Sequence, residues 1–202
     1  MARSGLRSLP ALALTALLAA CVMPTDSASV SAKSAPPPMR WDHRPEAATW
    51  TGTALAAVAQ RDEVLAGRVP ADIAAWCPGY AKAPVEDRRA FWVGMMSALA
   101  KHESTWNPAA VGGRGQWFGL MQISPKTARG NGCAAQSGSA LKDGGANLSC
   151  AVEIFARDVA RDGVVAGKGN RGIGRQWAPF RTAAKRADMA AWISAQPYCA
   201  KG

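Results

Sequence analysis

The feature that most constrains this chain is the run Ala90-Phe91-Trp92-Val93-Gly94-Met95-Met96-Ser97-Ala98-Leu99-Ala100. Wound at 3.6 residues per turn, it is apolar on nearly every side. A helix without a polar face has to be covered all round, so it belongs at the centre of a domain. The run is shorter than the roughly 20 apolar residues that a membrane span needs. Pro84 precedes it, and Glu86 and Asp87 put acids in the first turn, where the helix dipole favours them. The pattern predicts a helix from just after Pro84 to about Glu103.

The pieces available to cover that helix are helical too. Leu55, Val58, Ala59, Leu65 and Ala66 recur at helical spacing and predict a helix over residues 53–66, ended by Gly67 and Pro70. A short helix is expected over 71–76. Ser124-Pro125 reads as an N-cap and first helical residue, opening a short helix through Arg129. Leu148, Ala151, Val152, Phe155 and Val159 form one apolar face of a helix over 147–161, closed by Gly163. A last helix is expected over 181–195, before Pro197. The glycine-rich stretch 112–119 reads as loop or short irregular strand, and 167–174 as a flexible loop. Strand signals are few. The expectation is a mainly α single domain with a central buried helix and little β structure.

The chain has 202 residues, but its first segment reads as an address and not as fold. Arg3 and Arg7 precede a short apolar run that ends in Leu18-Ala19-Ala20-Cys21. That ending resembles the lipobox of bacterial lipoproteins, in which the cysteine is acylated and becomes the new N-terminus. An ordinary signal peptide cut nearby is the plainer alternative. Residues 1–20 are therefore expected to be a lipoprotein signal peptide. Residues 21–45 carry Pro36-Pro37-Pro38 and much Ser and Ala, and are expected to be a lipid-anchored disordered tether. Folding is then expected to begin near residue 46. Val22, and not aspartate, follows Cys21, which favours the outer membrane for a periplasmic, anchored protein.

Export bears on the charge and on the cysteines. The net charge is +10, and loss of the two arginines of residues 1–20 leaves +8. Such a balance suits nucleic acid, anionic lipid or an acidic polymer. Export removes nucleic acid, and a cell-wall polymer carrying peptide carboxylates fits the sign. Beyond Cys21, four cysteines remain: Cys77, Cys133, Cys150 and Cys199. None forms a CxxC pair, so no metal site is expected, and an even number in an exported chain reads as two disulfides. Cys133–Cys150 would staple a glycine-rich loop, and Cys77–Cys199 would pin the C-terminus.

Glu103 is the residue with chemical promise. It sits where the negative end of the helix dipole disfavours a carboxylate by about 0.3–1 kcal/mol or more. Leu99 lies one turn earlier and Trp106 three residues on, so bulky apolar groups flank it. Dipole and desolvation both favour the protonated acid. Cleavage of a glycosidic bond needs such an acid, because the leaving oxygen must receive a proton. A helix-end glutamate paired with a nearby Arg or Lys remains open on local pattern alone.

Three motifs follow in order: Glu103-Ser104-x-Trp106-Asn107-Pro108, then Gly119-Leu120-Met121-Gln122-Ile123-Ser124-Pro125, then Asn147-Leu148. Together they resemble the soluble lytic transglycosylase family, whose fold is that of goose-type lysozyme. The resemblance runs over residues 88–161 and fades toward the C-terminus. It implies a lysozyme-like transglycosylase domain over residues 46–202, acting as a monomer on peptidoglycan glycan strands. It implies Glu103 as the catalytic acid/base and Ser104 as a residue that orients the acid and the substrate. Gly119, Leu120, Met121, Gln122 and Ile123 would line the sugar cleft, with Met121 and Gln122 touching the substrate, and Asn147 would match the third motif. Ala151 and Ile154 stand where the family often has Gly and Tyr. The family's late Tyr-Asn pair has no counterpart, and Gln176-Trp177 lies in that region, which makes Trp177 a candidate substrate contact. The family chemistry uses one glutamate and no cofactor: the acid protonates the bond between MurNAc and GlcNAc, then draws the proton from the muramic 6-hydroxyl as a 1,6-anhydro ring closes.

Other residues compete for these roles. A hydrolytic muramidase on the same fold would want a second carboxylate. Asp143 reads as a helix cap, and Glu153 as a solvated residue off the apolar stripe. His102 neighbours Glu103, but adjacent helical side chains point about 100° apart, so it reads as a surface residue. Trp106 and Trp117 could stack on sugars or pack in the core. A non-catalytic wall-binding lipoprotein is the third reading.

Overall fold

A computed structural model of the protein describes residues 1–2 and 35–200. Cys21, the rest of the expected signal peptide and the tether up to residue 34 lie outside the described residues.

The axis of the unit that begins at Ala35 is α2 (Val85–Glu103), and every side chain from 90 to 100 is buried. Pro84 stands just ahead of it in an extended conformation, where its missing N–H removes no helical hydrogen bond. Around α2 pack α1 (Ala47–Ala59), α5 (Ala183–Ser194) and single 3-10 turns at Tyr80–Lys82, Ala178–Arg181 and Pro197–Cys199. A chain of edge-to-face aromatic contacts runs from Tyr80 through Phe91, Trp92 and Phe155 to Trp177, with centroids 5.0–6.3 Å apart. It links the central helix to α4 (Gly144–Asp162) and to the late turns. Gly94 has a steric reason to interrupt α2: a Cβ there would stand 2.2 Å from the hydroxyl of Tyr198, whose ring lies on the helix.

The expected class, mainly α with little β, is what forms. The only strands among the described residues are β1 (Val111–Gly112) and β2 (Trp117–Phe118), paired antiparallel. Ser124 caps α3 (Pro125–Gly130) by accepting from the Thr127 N–H at 3.0 Å, and Gly163 closes α4 at φ +66°. Asp143 caps α4, accepting from the Ala146 N–H at 2.8 Å. Both disulfides pair as expected, Cys133 with Cys150 and Cys77 with Cys199.

Four expectations need correction. The first helix runs over Ala47–Ala59 and not over 53–66. It starts early because Trp50 and Thr51 are buried, Trp50 against Gly144 and Thr51 under the indole N–H of Trp41 at 3.0 Å. Leu65 and Ala66 reach the core from turns instead. The helix expected over 71–76 is one 3-10 turn, Ile73–Ala75. The loop 167–174 is pinned: Asp72 accepts from the N–H groups of Val165, Ala166 and Gly167, and Asp162 accepts from Gly172 and Arg175. The fourth concerns where folding begins. Residues 39–45 are not tether, because Met39 and Trp41 are core residues and Trp41 is fully buried.

Candidate active site

Glu103 is the last residue of α2, and Ser104 ends the helix with its N–H on the Ala100 carbonyl at 3.0 Å. The chain then reverses sharply. Thr105 and Trp106 both adopt left-handed backbone, at φ +51° and +55°, a conformation costly for side chains of that size. What secures it is Trp106. Its backbone N–H reaches the Ala100 carbonyl at 3.3 Å and its indole N–H the Ser97 carbonyl at 2.9 Å. The indole is thereby folded back along the last turns of α2, and His43 packs edge-on against it at 4.6 Å.

Glu103 makes no hydrogen bond to protein among the described residues. Burial pushes its pKa up to about 7, and the nearby charges of Lys185 and Arg181 hold it down from there. The alternative of a paired helix-end glutamate is therefore not what forms: two cations reach it through space, and none bonds to it. His102 faces elsewhere. It is not the surface residue expected, since its ring is mostly buried and meets Asp188 Oδ2 at 2.8 Å.

The segment 119–123 is fastened to that helix end. The Ser104 hydroxyl donates to the Leu120 carbonyl at 2.9 Å. Asn147 accepts from the Met121 N–H at 2.9 Å and donates to the carbonyls of Phe118 and Leu141 at 3.0 and 2.9 Å. Trp177 donates its indole N–H to the Met121 carbonyl at 2.8 Å. Gly119 is left-handed at φ +78°, and a Cβ there would stand 2.1 Å from the Leu141 carbonyl oxygen. Gln122, also left-handed at φ +48°, turns its amide back onto the Ala110 and Gly119 carbonyls.

These bonds correct the expected division of labour. Leu120, Met121, Ile123, Asn147 and Trp177 have buried side chains, and the polar groups of Asn147 and Trp177 are spent inside the protein. Side chains without free surface cannot touch a sugar as they stand, so they shape the segment from behind. Ser104 and Gln122 are half-exposed, and Gly119 contributes backbone only. Neither rival acid faces Glu103. Asp143 is the α4 cap, and Glu153, expected to be solvated, is bridged by Arg61 at 2.5 Å. Trp106 is partly packed, whereas Trp117 is 48% exposed. A hollow of about 480 Å³ beside the Cys133–Cys150 bridge, lined also by Arg61 and Glu153, shares no residue with this site.

Lys185, Arg181 and Asp188 were not singled out from the sequence, and His43 was read there as part of the tether. Each comes to the site from a remote segment, and no local spacing marks it.

The family description "Transglycosylase SLT domain" matches residues 83–188, just over half of the chain. The chain is also similar to solved structures of DslA. The wild-type form aligns with a TM-score of 0.74 at 26% identity, covering 83% of this chain and 100% of that one. A glutamate-to-glutamine mutant of DslA aligns at 0.73 and 26%, covering 81% and 97%. No curated protein matches the chain.

Proposed function

This chain belongs to the transglycosylase SLT domain family, and from that premise we propose that it cleaves peptidoglycan glycan strands with Glu103 as its only catalytic carboxylate. The observation that carries the reading is a half-buried acid at a helix end, without a hydrogen bond among the described residues and with a pKa of about 7. Such a group is protonated often enough at neutral pH to donate, and basic enough once ionised to take a proton back. Glu103 protonates the oxygen that links the muramic C1 to the next glucosamine, and that C1–O bond breaks. The carboxylate then removes the proton of the muramic 6-hydroxyl, whose oxygen bonds to C1 and closes the 1,6-anhydro ring. The glutamic acid is regenerated with no water consumed. The absence of a second acid facing Glu103 among the described residues supports this route over hydrolysis, which would draw on a carboxylate nucleophile or base. Trp117, exposed on β2, offers a flat apolar face for a sugar ring.

The anchoring is part of the same reading. Cys21 carries lipid, and the enzyme works in the periplasm on the outer membrane. The lipobox-like Leu18-Ala19-Ala20-Cys21 supports this, as does the disulfide content of the domain.

The test is product analysis of digested peptidoglycan by mass spectrometry. Anhydro-muropeptides are expected. Reducing ends would select hydrolysis, and no cleavage at all would select a wall-binding role. Glu103→Gln should lower turnover by at least ~10²–10⁴-fold while strands still bind.

A further inference from the structure

The ring cleaved at Glu103 in this reading is the muramic one, which carries the 3-O-lactyl group and its stem peptide. Carboxylates of that substituent therefore come close to the catalytic acid. The structure holds a cationic edge there that no acid among the described residues neutralises.

That edge belongs to α5 and the turn before it. Asp188 fixes α5 against the end of α2: its carboxylate accepts from Arg40 at 2.7 and 2.9 Å, from Lys101 at 3.2 Å and from His102 at 2.8 Å. Lys101 and His102 immediately precede Glu103. Lys185 lies three residues before Asp188 on the same helical face, and Arg181 lies in the turn Ala178–Arg181 just ahead. Both are exposed, and both are near enough for their charge to act on Glu103. Asp188 is already shared by two cations, Arg40 and Lys101, and by the His102 ring. Among the described residues neither Lys185 nor Arg181 forms an ion pair, although ten other pairs do form. Arg181 is also preorganised. Its Nη1 donates to the Gly174 carbonyl at 2.6 Å, while its Nε and Nη2 bond to nothing among the described residues. A guanidinium held by one nitrogen, with the others free, suits a carboxylate.

We propose that Lys185 and Arg181 form a carboxylate subsite for the acyl substituent of the muramic ring cleaved at Glu103. The subsite rests on the glycan-cleaving reading above and makes the enzyme selective for strands with ionised substituents over neutral ones.

The experiment compares initial rates of the purified full chain on three strand preparations, at one pH near 5.5. There Glu103 stays protonated and changes in its pKa do not enter the comparison. The first preparation bears native stem peptides. In the second the peptide carboxylates are converted to amides. In the third an amidase has removed the peptides, leaving free lactyl carboxylates. Wild-type kcat/KM should be about three- to tenfold higher on native than on amidated strands at low salt, with the gap closing at high salt. Activity on stripped strands close to that on native ones shows that the subsite also takes the lactyl carboxylate freed by the amidase, and activity close to that on amidated ones confines it to carboxylates of the peptide. Lys185→Gln with Arg181→Gln should bring the native-to-amidated ratio to about one, and Lys185→Glu alone should push it below the wild-type value. Lys82→Gln with Arg68→Gln, the same charge change at the other end of α2, should keep it. Equal wild-type rates on native and amidated strands overturn the subsite while leaving the cleavage reading intact, as does a ratio unchanged in the Lys185/Arg181 variant. No cleavage of any strand overturns the cleavage reading and the subsite with it.

Discussion

In the proposed reaction Glu103 donates a proton and later accepts one, and its surroundings set the compromise. Burial alone would leave it a poor proton donor, and the fields of Lys185 and Arg181 bring it back to about 7. If the acid form starts the reaction, kcat/KM should fall about tenfold per pH unit above pH ~7. A flat profile from pH 6 to 9 would remove Glu103 from the donor role. The same shift has a thermodynamic consequence with a definite sign. In the unfolded chain a glutamate loses its proton near pH ~4.3, whereas in the fold this one keeps it to about 7. Between those values the folded state binds more protons, so stability falls as pH rises, and above 7 the penalty is complete. Glu103→Gln removes it. The variant should match the wild type below pH ~4 and exceed it by about 1–3 kcal/mol at pH 8. Denaturant melts at the two pH values check this, and equal stability at pH 8 would show that the carboxylate is not buried at a cost. Glu103 was legible in the sequence because its causes are local: a helix end, Leu99 one turn back and Trp106 three residues on. The cations that tune it were not, because they arrive from residues 181 and 185 through the packing of α5.

At the scale of elements, the segment 119–123 depends on one buried amide. Asn147 satisfies a donor at Met121 and two acceptors, at Phe118 and Leu141, and Gly119 lets the backbone approach it. Asn147→Asp keeps the shape and the acceptor for the Met121 N–H. It loses both donated bonds and sets a carboxylate against two carbonyl oxygens. Unmet buried polar groups cost about 1–3 kcal/mol each, so a loss of about 2–4 kcal/mol is expected, with activity falling through the cleft and not through Glu103. A loss under ~0.5 kcal/mol by urea unfolding would refute this structural role. The sequence singled out Asn147 as a substrate contact and could not show that its amide is buried and spent inside the protein, since a motif gives residue type but not exposure. Helices were legible where the signals were local: the apolar run of α2, the Ser124-Pro125 start of α3, and the Asp143 and Gly163 ends of α4. The first helix was misplaced because its bounds follow from where Trp50 docks on Gly144, a contact between residues 94 positions apart.

As a whole, the unit that begins at Ala35 is closed at its front and its back by segments that join remote elements. At the front, Trp41 is fully buried, the Arg40 N–H binds the Ser97 hydroxyl at 3.0 Å, and the Arg40 guanidinium clasps Asp188. That segment looked like tether because its few large residues sit among Pro and Ser, with no periodicity to betray burial. A chain beginning at residue 46 should lose about 3–5 kcal/mol, the usual cost of removing a buried tryptophan. Thermal melts of the shortened and full chains check it, and equal midpoints would return residues 35–45 to the tether. At the back, the C-terminal turn lies directly on the segment before α2. The Gly79 N–H donates to the Cys199 carbonyl at 3.0 Å, and a Cβ on Gly79 would overlap the Ala200 carbonyl oxygen. The Cys77–Cys199 bridge closes 122 residues of chain, and Cys133–Cys150 closes 17. If the bridges act mainly by restricting the unfolded chain, their worth grows with the logarithm of loop length, and the longer loop gains about 1–2 kcal/mol over the shorter. Replacing both members of a bridge by serine should therefore cost about 3–5 kcal/mol for Cys77 and Cys199, against about 2–3 kcal/mol for Cys133 and Cys150. Paired denaturant melts under oxidising conditions measure the order. The reverse order would mean that the short bridge does its work in the folded state, by holding residues 133–150 in a shape that their own packing does not secure.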